Sequence, residues 1–307
     1  MNVLYLIIWQ VIFPVFSLIV AGALLHRIFH FDMNTLSKLT TYFLMPAVSF
    51  TNIFESKIGG QSLFIILGFL LVQNLALMVM SSGVARAANF ERSLSATFKN
   101  SVVLNNSGNF GLPVSQLVFH NNPLGASVQV VVSIFQNFVT YTYGLMNSVS
   151  VQSSGSKVLS EFLKLPTLYA LAAGLLLNSL SVPIPDTIWN PINNVSNAFI
   201  AIALLTLGAQ SAHLKINRIS LPLLLSLIGR LVMSPCLAYV IILCFKLEGT
   251  IAQALFIASS FPTSRNSALF ALEYNNHPEY AAQSVLLSTL LSSITVTIAV
   301  YLSKIIF

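Results

Sequence analysis

The sequence predicts an all-α integral membrane protein of ten transmembrane helices, and three observations predict it. Of 307 residues, 56% are hydrophobic and only 7% charged, with a mean hydropathy of +0.83; soluble domains carry about 25% charged residues. Apolar runs of about 20 residues recur along the chain, the length of a helical span and not of the shorter alternating strands of a barrel. The basic residues gather in alternate loops, as membrane topology demands. The net charge of +6 therefore reports topology and implies no nucleic-acid partner.

The ten segments fall at 4–25, 36–54, 62–85, 94–119, 125–149, 162–180, 190–212, 220–245, 250–273 and 280–305. The first is no signal peptide: it lacks a basic start, is too long, and runs into His26-Arg27 where a cleavage site would need small residues. The second carries Leu44-Met45-Pro46 and Ser49, facing a pore or marking a plain kink. The third holds Gln73 and Asn74. The fourth is interrupted, and the fifth leads into the polar linker 151–164 that divides the chain almost in half. Segment six contains Ala172, Ala173 and Gly174. The eighth has Arg230 between Gly229 and Pro235, and its Cys236 and Cys244 have no partner at metal spacing and read as packing residues. The ninth is interrupted again and the tenth is continuous.

Loops after odd-numbered segments hold Arg27, Lys38, Arg86, Arg92, Lys99, Lys157, Lys164, Lys215 and Arg218, against Lys57, Lys246 and Lys304 on the other side. Nine against three predicts cytoplasmic odd loops and both termini outside. Sliding the chain on itself by 155 positions pairs Leu117 with Leu272, Asn121 with Asn276, Pro123 with Pro278 and Ser133 with Ser288, among eight identities in 26 positions. The shift spans five segments, so residues 1–150 and 165–307 form two five-helix repeats of opposite orientation. Inverted repeats with interrupted helices in corresponding places point to a secondary transporter.

The first interruption is Asn105-Asn106-Ser107-Gly108-Asn109-Phe110-Gly111-Leu112-Pro113. A helical Gly costs about 1 kcal/mol and a helical Pro about 3. Pro113 has no N–H and would clash with the Asn109 carbonyl, so the backbone near Asn109 to Leu112 is expected to lose normal pairing. In hydrocarbon such a break survives only against protein or a watery cavity. Asn105 and Asn106 fall four and three residues before Asn109, on one helical face, with amides that both donate and accept. Such a site suits either an anion on its donors or a sodium ion on its oxygens; plain helix–helix hydrogen bonding is the alternative. The second interruption, Ser259-Ser260-Phe261-Pro262-Thr263-Ser264-Arg265-Asn266, adds an intramembrane arginine. Its planar fork suits a carboxylate; the alternatives for Arg265 are a watery vestibule or a pair with Glu273. Arg230 is either a counter-charge for substrate or a cap on the carbonyls of a broken helix.

At these two breaks, and at Leu44-Met45-Pro46 and Gly229-Arg230-Leu231 with Pro235, the sequence resembles the auxin efflux carrier family, over essentially the whole chain. The resemblance implies a five-plus-five fold in which helices 4 and 9 cross at their prolines. Helices 1, 2, 6 and 7 would form a scaffold, with 3–5 and 8–10 as a moving transport domain. It implies a small organic anion, mono- or dicarboxylate such as malate or malonate, since the long cytoplasmic loop of the plant hormone carriers is absent. In the family pattern the position of Arg265 is usually small or polar, so Arg265 would mark an acidic substrate. The expected substrate-binding residues are Asn105, Asn106, Asn109, Pro113, Pro262, Thr263, Ser264, Arg265, Asn266 and Arg230. No metal or cofactor is expected beyond a coupling ion, proton or sodium. A multi-pass protein of the cell membrane is implied, with a homodimer through the scaffold as a further expectation. The competing classes are a membrane-embedded enzyme, against which no zinc motif or intramembrane aspartate pair is found, and a non-transporting sensor.

Overall fold

The computed structural model describes residues 9, 13–55, 60–149, 166–212 and 219–307. The linker 151–164, most of the first segment before Phe13, and Lys57, Lys157, Lys164, Lys215 and Arg218 lie outside the described residues. The described chain is helical, with one isolated antiparallel bridge. The helices are α1 (Phe13–Phe29), α2a (Met33–Leu39), α2b (Met45–Phe54), α3 (Gly60–Ala87), α4a (Arg92–Val103), α4b (Leu112–Val118), α5a (Pro123–Val139) and α5b (Leu145–Val149). The second half contributes α6 (Pro166–Ser179), α7 (Asp186–Ser211), α8a (Leu221–Ile228), α8b (Ser234–Phe245), α9a (Gly249–Ser259), α9b (Arg265–Glu273) and α10 (Pro278–Ile306).

Among the described residues, five helical stretches are long and apolar enough to cross a membrane: 62–87, 123–148, 186–209, 221–245 and 278–306. The exposed faces of α3 and α10 carry Phe64, Leu71, Val79, Ile294 and Ile298, side chains suited to acyl chains and not to water.

Three prolines inside the long segments are accommodated in one recurrent way. Pro46, Pro113 and Pro235 are each the second residue of a helix that follows a π-helical turn, at Thr40–Leu44, Ser107–Gly111 and Gly229–Met233. A proline ring crowds the carbonyl four residues back and donates no hydrogen bond. A single wide turn supplies one extra residue and relieves both problems without ending the helix. Pro46 therefore marks a π turn where the sequence left a kink or a pore-facing residue open.

Close backbone contact joins α1 to α7. A methyl group at Gly208 would stand 1.8 Å from the Ile19 carbonyl oxygen, and one at Gly22 would stand 2.1 Å from that of Leu205. The two glycines let the helices touch backbone to backbone, the small-residue packing that holds helices together in lipid. α7 also meets α2b, where the Thr51 and Ser196 hydroxyls lie 2.8 Å apart. α6 packs on α2b with Gly174 facing Phe50 and Ile53. Ala172 and Ala173 are exposed, so Gly22 and Gly174 serve packing inside the chain. On the other side α5a packs on α9a, and α10 packs on α9a and α9b.

Candidate functional site

The two interruptions complete each other. After Val103 the chain turns extended at Leu104 (φ −81°, ψ 116°), and Asn105 bridges antiparallel to Thr263. The Asn106 N–H donates to the Pro262 carbonyl and the Ser264 N–H to that of Leu104, both at 2.8 Å. Thr263 Oγ1 donates to the Ser101 carbonyl at 2.8 Å, and Asn105 Nδ2 reaches that of Ala258 at 3.4 Å. The backbone groups freed by each break thus find partners in the other, which satisfies the rule that buried polar backbone is paired. Phe110 and Phe261 stack edge to face across the same junction, 5.9 Å between centroids, with Gly111 against the Phe261 ring.

This geometry sharpens the form of the first break. Helical pairing stops at 104–106, and over Ser107–Gly111 the normal bonds give way to a π turn. Pro113 falls in the first turn of α4b, where a missing N–H goes unused, and the preceding residues close a π turn through the Gly111 N–H to the Asn106 carbonyl at 2.9 Å. Asn105, in the bridge, and Asn106 (φ −87°, ψ 60°) are consequently not helical and share no helical face with Asn109.

A cavity of about 80 Å³ opens beside the junction. Asn105, Asn106 and Asn109 line it from the first break, and Ser264, Arg265 and Asn266 from the second. Ser264 Oγ accepts the Asn266 N–H at 3.2 Å, so the positive end of α9b starts at the cavity wall. The Asn106 side chain is 5% exposed, and its Nδ2 donor has no hydrogen-bond partner among the described residues. A buried amide N–H left unpaired costs about 1–3 kcal/mol, which makes this donor an expensive group of the wall that a rearranged or ligand-bound site would satisfy. The space admits several waters or one small solute.

The remaining wall was not read from the sequence. Ser133, Gln136, Asn137 and Thr140 of the fifth segment, Met45 of α2b and Thr167 of α6 join Ser107 and Gly108 of the first break in the lining. Positions 133, 136, 137 and 140 repeat at helical spacing on an apolar segment, a polar stripe that periodicity could have exposed. Gln136 Nε2 donates to Asn74 Oδ1 at 3.0 Å, linking the third segment's amides to the cavity wall. Gln129 and Ser133 both donate to the Ser107 carbonyl, at 2.9 and 3.0 Å, and fix the π turn.

Four expected site residues stand outside this lining. Pro113 and Pro262 shape the backbone, and Thr263 is engaged in the bridge. Arg230, 1% exposed, lies against the ends of both first half-helices. Its Nη1 donates to the carbonyls of Val102 (3.0 Å) and Val103 (3.4 Å), and its Nη2 to that of Ser259 (2.5 Å) and to Ser234 Oγ. Ser234 Oγ donates in turn to the Ser259 carbonyl at 2.8 Å. Of the two roles open to Arg230 in the sequence, these contacts are those of a carbonyl cap. Glu273 closes α9b, and its side chain lies outside the described part.

Among known protein families, the one described as membrane transport protein matches residues 146–300, which include Arg230 and the whole second break. No curated protein matches the chain.

Proposed function

The chain belongs to the membrane transport protein family and is a multi-pass membrane protein, and from that premise we propose that it is a secondary transporter of a small organic anion, working by alternating access. The observation that carries the anion is the cavity wall. Asn106, whose buried Nδ2 donor is unpartnered among the described residues, lines a space also lined by Arg265 and the first turn of α9b. Donors, a guanidinium and a positive helix end together favour a carboxylate over a cation. The polar stripe of α5 would take the remaining hydroxyl or carboxylate oxygens of a mono- or dicarboxylate.

In this reading ten helices span the cell membrane as two inverted five-helix repeats, both termini outside, and helices 4 and 9 cross at their breaks. The α1, α2, α6 and α7 group is the scaffold, supported by the backbone contacts between α1 and α7. The rest carries the junction. Met45 and Thr167 come from the scaffold and the other lining residues from the moving part, so the cavity sits on the sliding boundary. The test is flux: proteoliposomes holding the protein should show saturable uptake or exchange of labelled dicarboxylate. Organic acids that stabilise the purified protein against heat should compete for that uptake. An anion screen with neither flux nor stabilisation would overturn the reading.

A further inference from the structure

The ends of two half-helices meet one buried cation at the junction. Each helix C-terminus carries roughly half a negative charge on its unpaired carbonyls. α4a presents Val102 and Val103, and α9a presents Ser259, to the same guanidinium. Two such ends sum to about one negative charge, which one arginine neutralises. Among the described residues no carboxylate pairs with Arg230; its partners are carbonyls and the Ser234 hydroxyl. In hydrocarbon such an intramembrane charge is expensive and demands a function. Carbonyl ends of interrupted helices are also the groups that hold sodium in ion-coupled transporters.

We infer that Arg230 is a tethered cation occupying the place a coupling metal ion would take, so that the junction binds no sodium. Four contacts to four acceptors on three elements use the fork as a lysine ammonium could not, because guanidinium is planar and always charged. The cation is covalently held, so it travels with the junction and cannot be exchanged for a gradient. The consequence for coupling rests on the transport reading above; the charge role of Arg230 does not.

The experiment measures the unfolding temperature of the purified chain without substrate, in sodium chloride and in choline chloride of equal ionic strength. The wild-type chain should melt at the same temperature in both and should retain no radioactive sodium. Arg230→Ala and Arg230→Gln should melt roughly 5–10 °C lower, the scale of a lost buried charge contact. Millimolar methylguanidinium, or sodium in place of choline, should restore at least half of that loss. Sodium binding to the wild-type chain, or stabilisation of it by sodium over choline, would overturn the inference. So would variants as stable as wild type, or variants that no cation restores. If the variants fail to fold, the two wild-type measurements still decide. Because no substrate is present, a failure here is distinct from an absence of organic-anion flux.

Discussion

Two neighbouring asparagines show how residues of one type divide into different tasks. Asn105 is spent on the junction: its Nδ2 donates to the Ala258 carbonyl and its Oδ1 accepts from Ser107 Oγ. Asn106 contributes its backbone N–H to the junction and leaves its side-chain donor unpartnered among the described residues. Asn106→Ala should therefore weaken anion binding by about 1–3 kcal/mol with little change in melting temperature, whereas Asn105→Ala should lower the melting temperature itself. Isothermal titration beside thermal unfolding separates the two. Arg265→Ala should weaken anionic substrates by about 2–5 kcal/mol, the range for truncating a buried charge contact; unchanged affinity in a folded variant would remove Arg265 from the site. At this scale the sequence was half legible. A charge and three amides inside an apolar run stand out as costly. Which amide is used up by the backbone depends on Thr263 and Pro262, far away in the chain.

At the scale of elements, interruptions were visible because Gly and Pro have strong local penalties, but their form was not. A proline names the residue that cannot donate; it does not say whether the helix ends or widens. Pro113 and Pro235 both follow π turns, and the fourth segment's helix stops instead at 104–106, where partners from 262–264 replace the helical bonds. Helix pairing was also hidden. Gly22 and Gly208 look like ordinary small residues until Ile19 and Leu205 are seen against them. Gly208→Ala should force α1 and α7 apart and destabilise by about 1–3 kcal/mol, the usual range for overpacking. Denaturation in mild detergent reads this directly. Ala172→Leu, on an exposed face of α6, should leave the same measurement near wild type.

For the whole molecule, composition was enough to assign a helical membrane protein, since 7% charge cannot clothe a soluble surface. The two breaks meet in the structure, Asn105 against Thr263, where the sequence placed them only as corresponding regions. Alternating access supplies a further expectation. With Cys236 and Cys244, both exposed, changed to serine, Thr167→Cys on the scaffold side and Asn137→Cys on the moving side can be joined by a flexible bis-maleimide. Joining them should abolish flux while either single cysteine, treated alike, retains it. Full flux through the joined protein would mean that the two groups do not slide.

The mutual bridge also bears on how the protein is made. The carbonyls of Leu104 and Ser101 and the N–H of Asn106 find their partners only when residues 262–264 exist, and Thr263 lies 162 positions beyond Ser101. At a synthesis rate of about 5–20 residues per second, the first break must wait roughly 10–30 s for its complement. During that interval it carries bare polar backbone that hydrocarbon penalises heavily. The nascent fourth segment must therefore linger in the insertion machinery or in water until the ninth arrives. Slowing synthesis between the two breaks should increase degradation of the newborn chain, more than the same delay placed after residue 264.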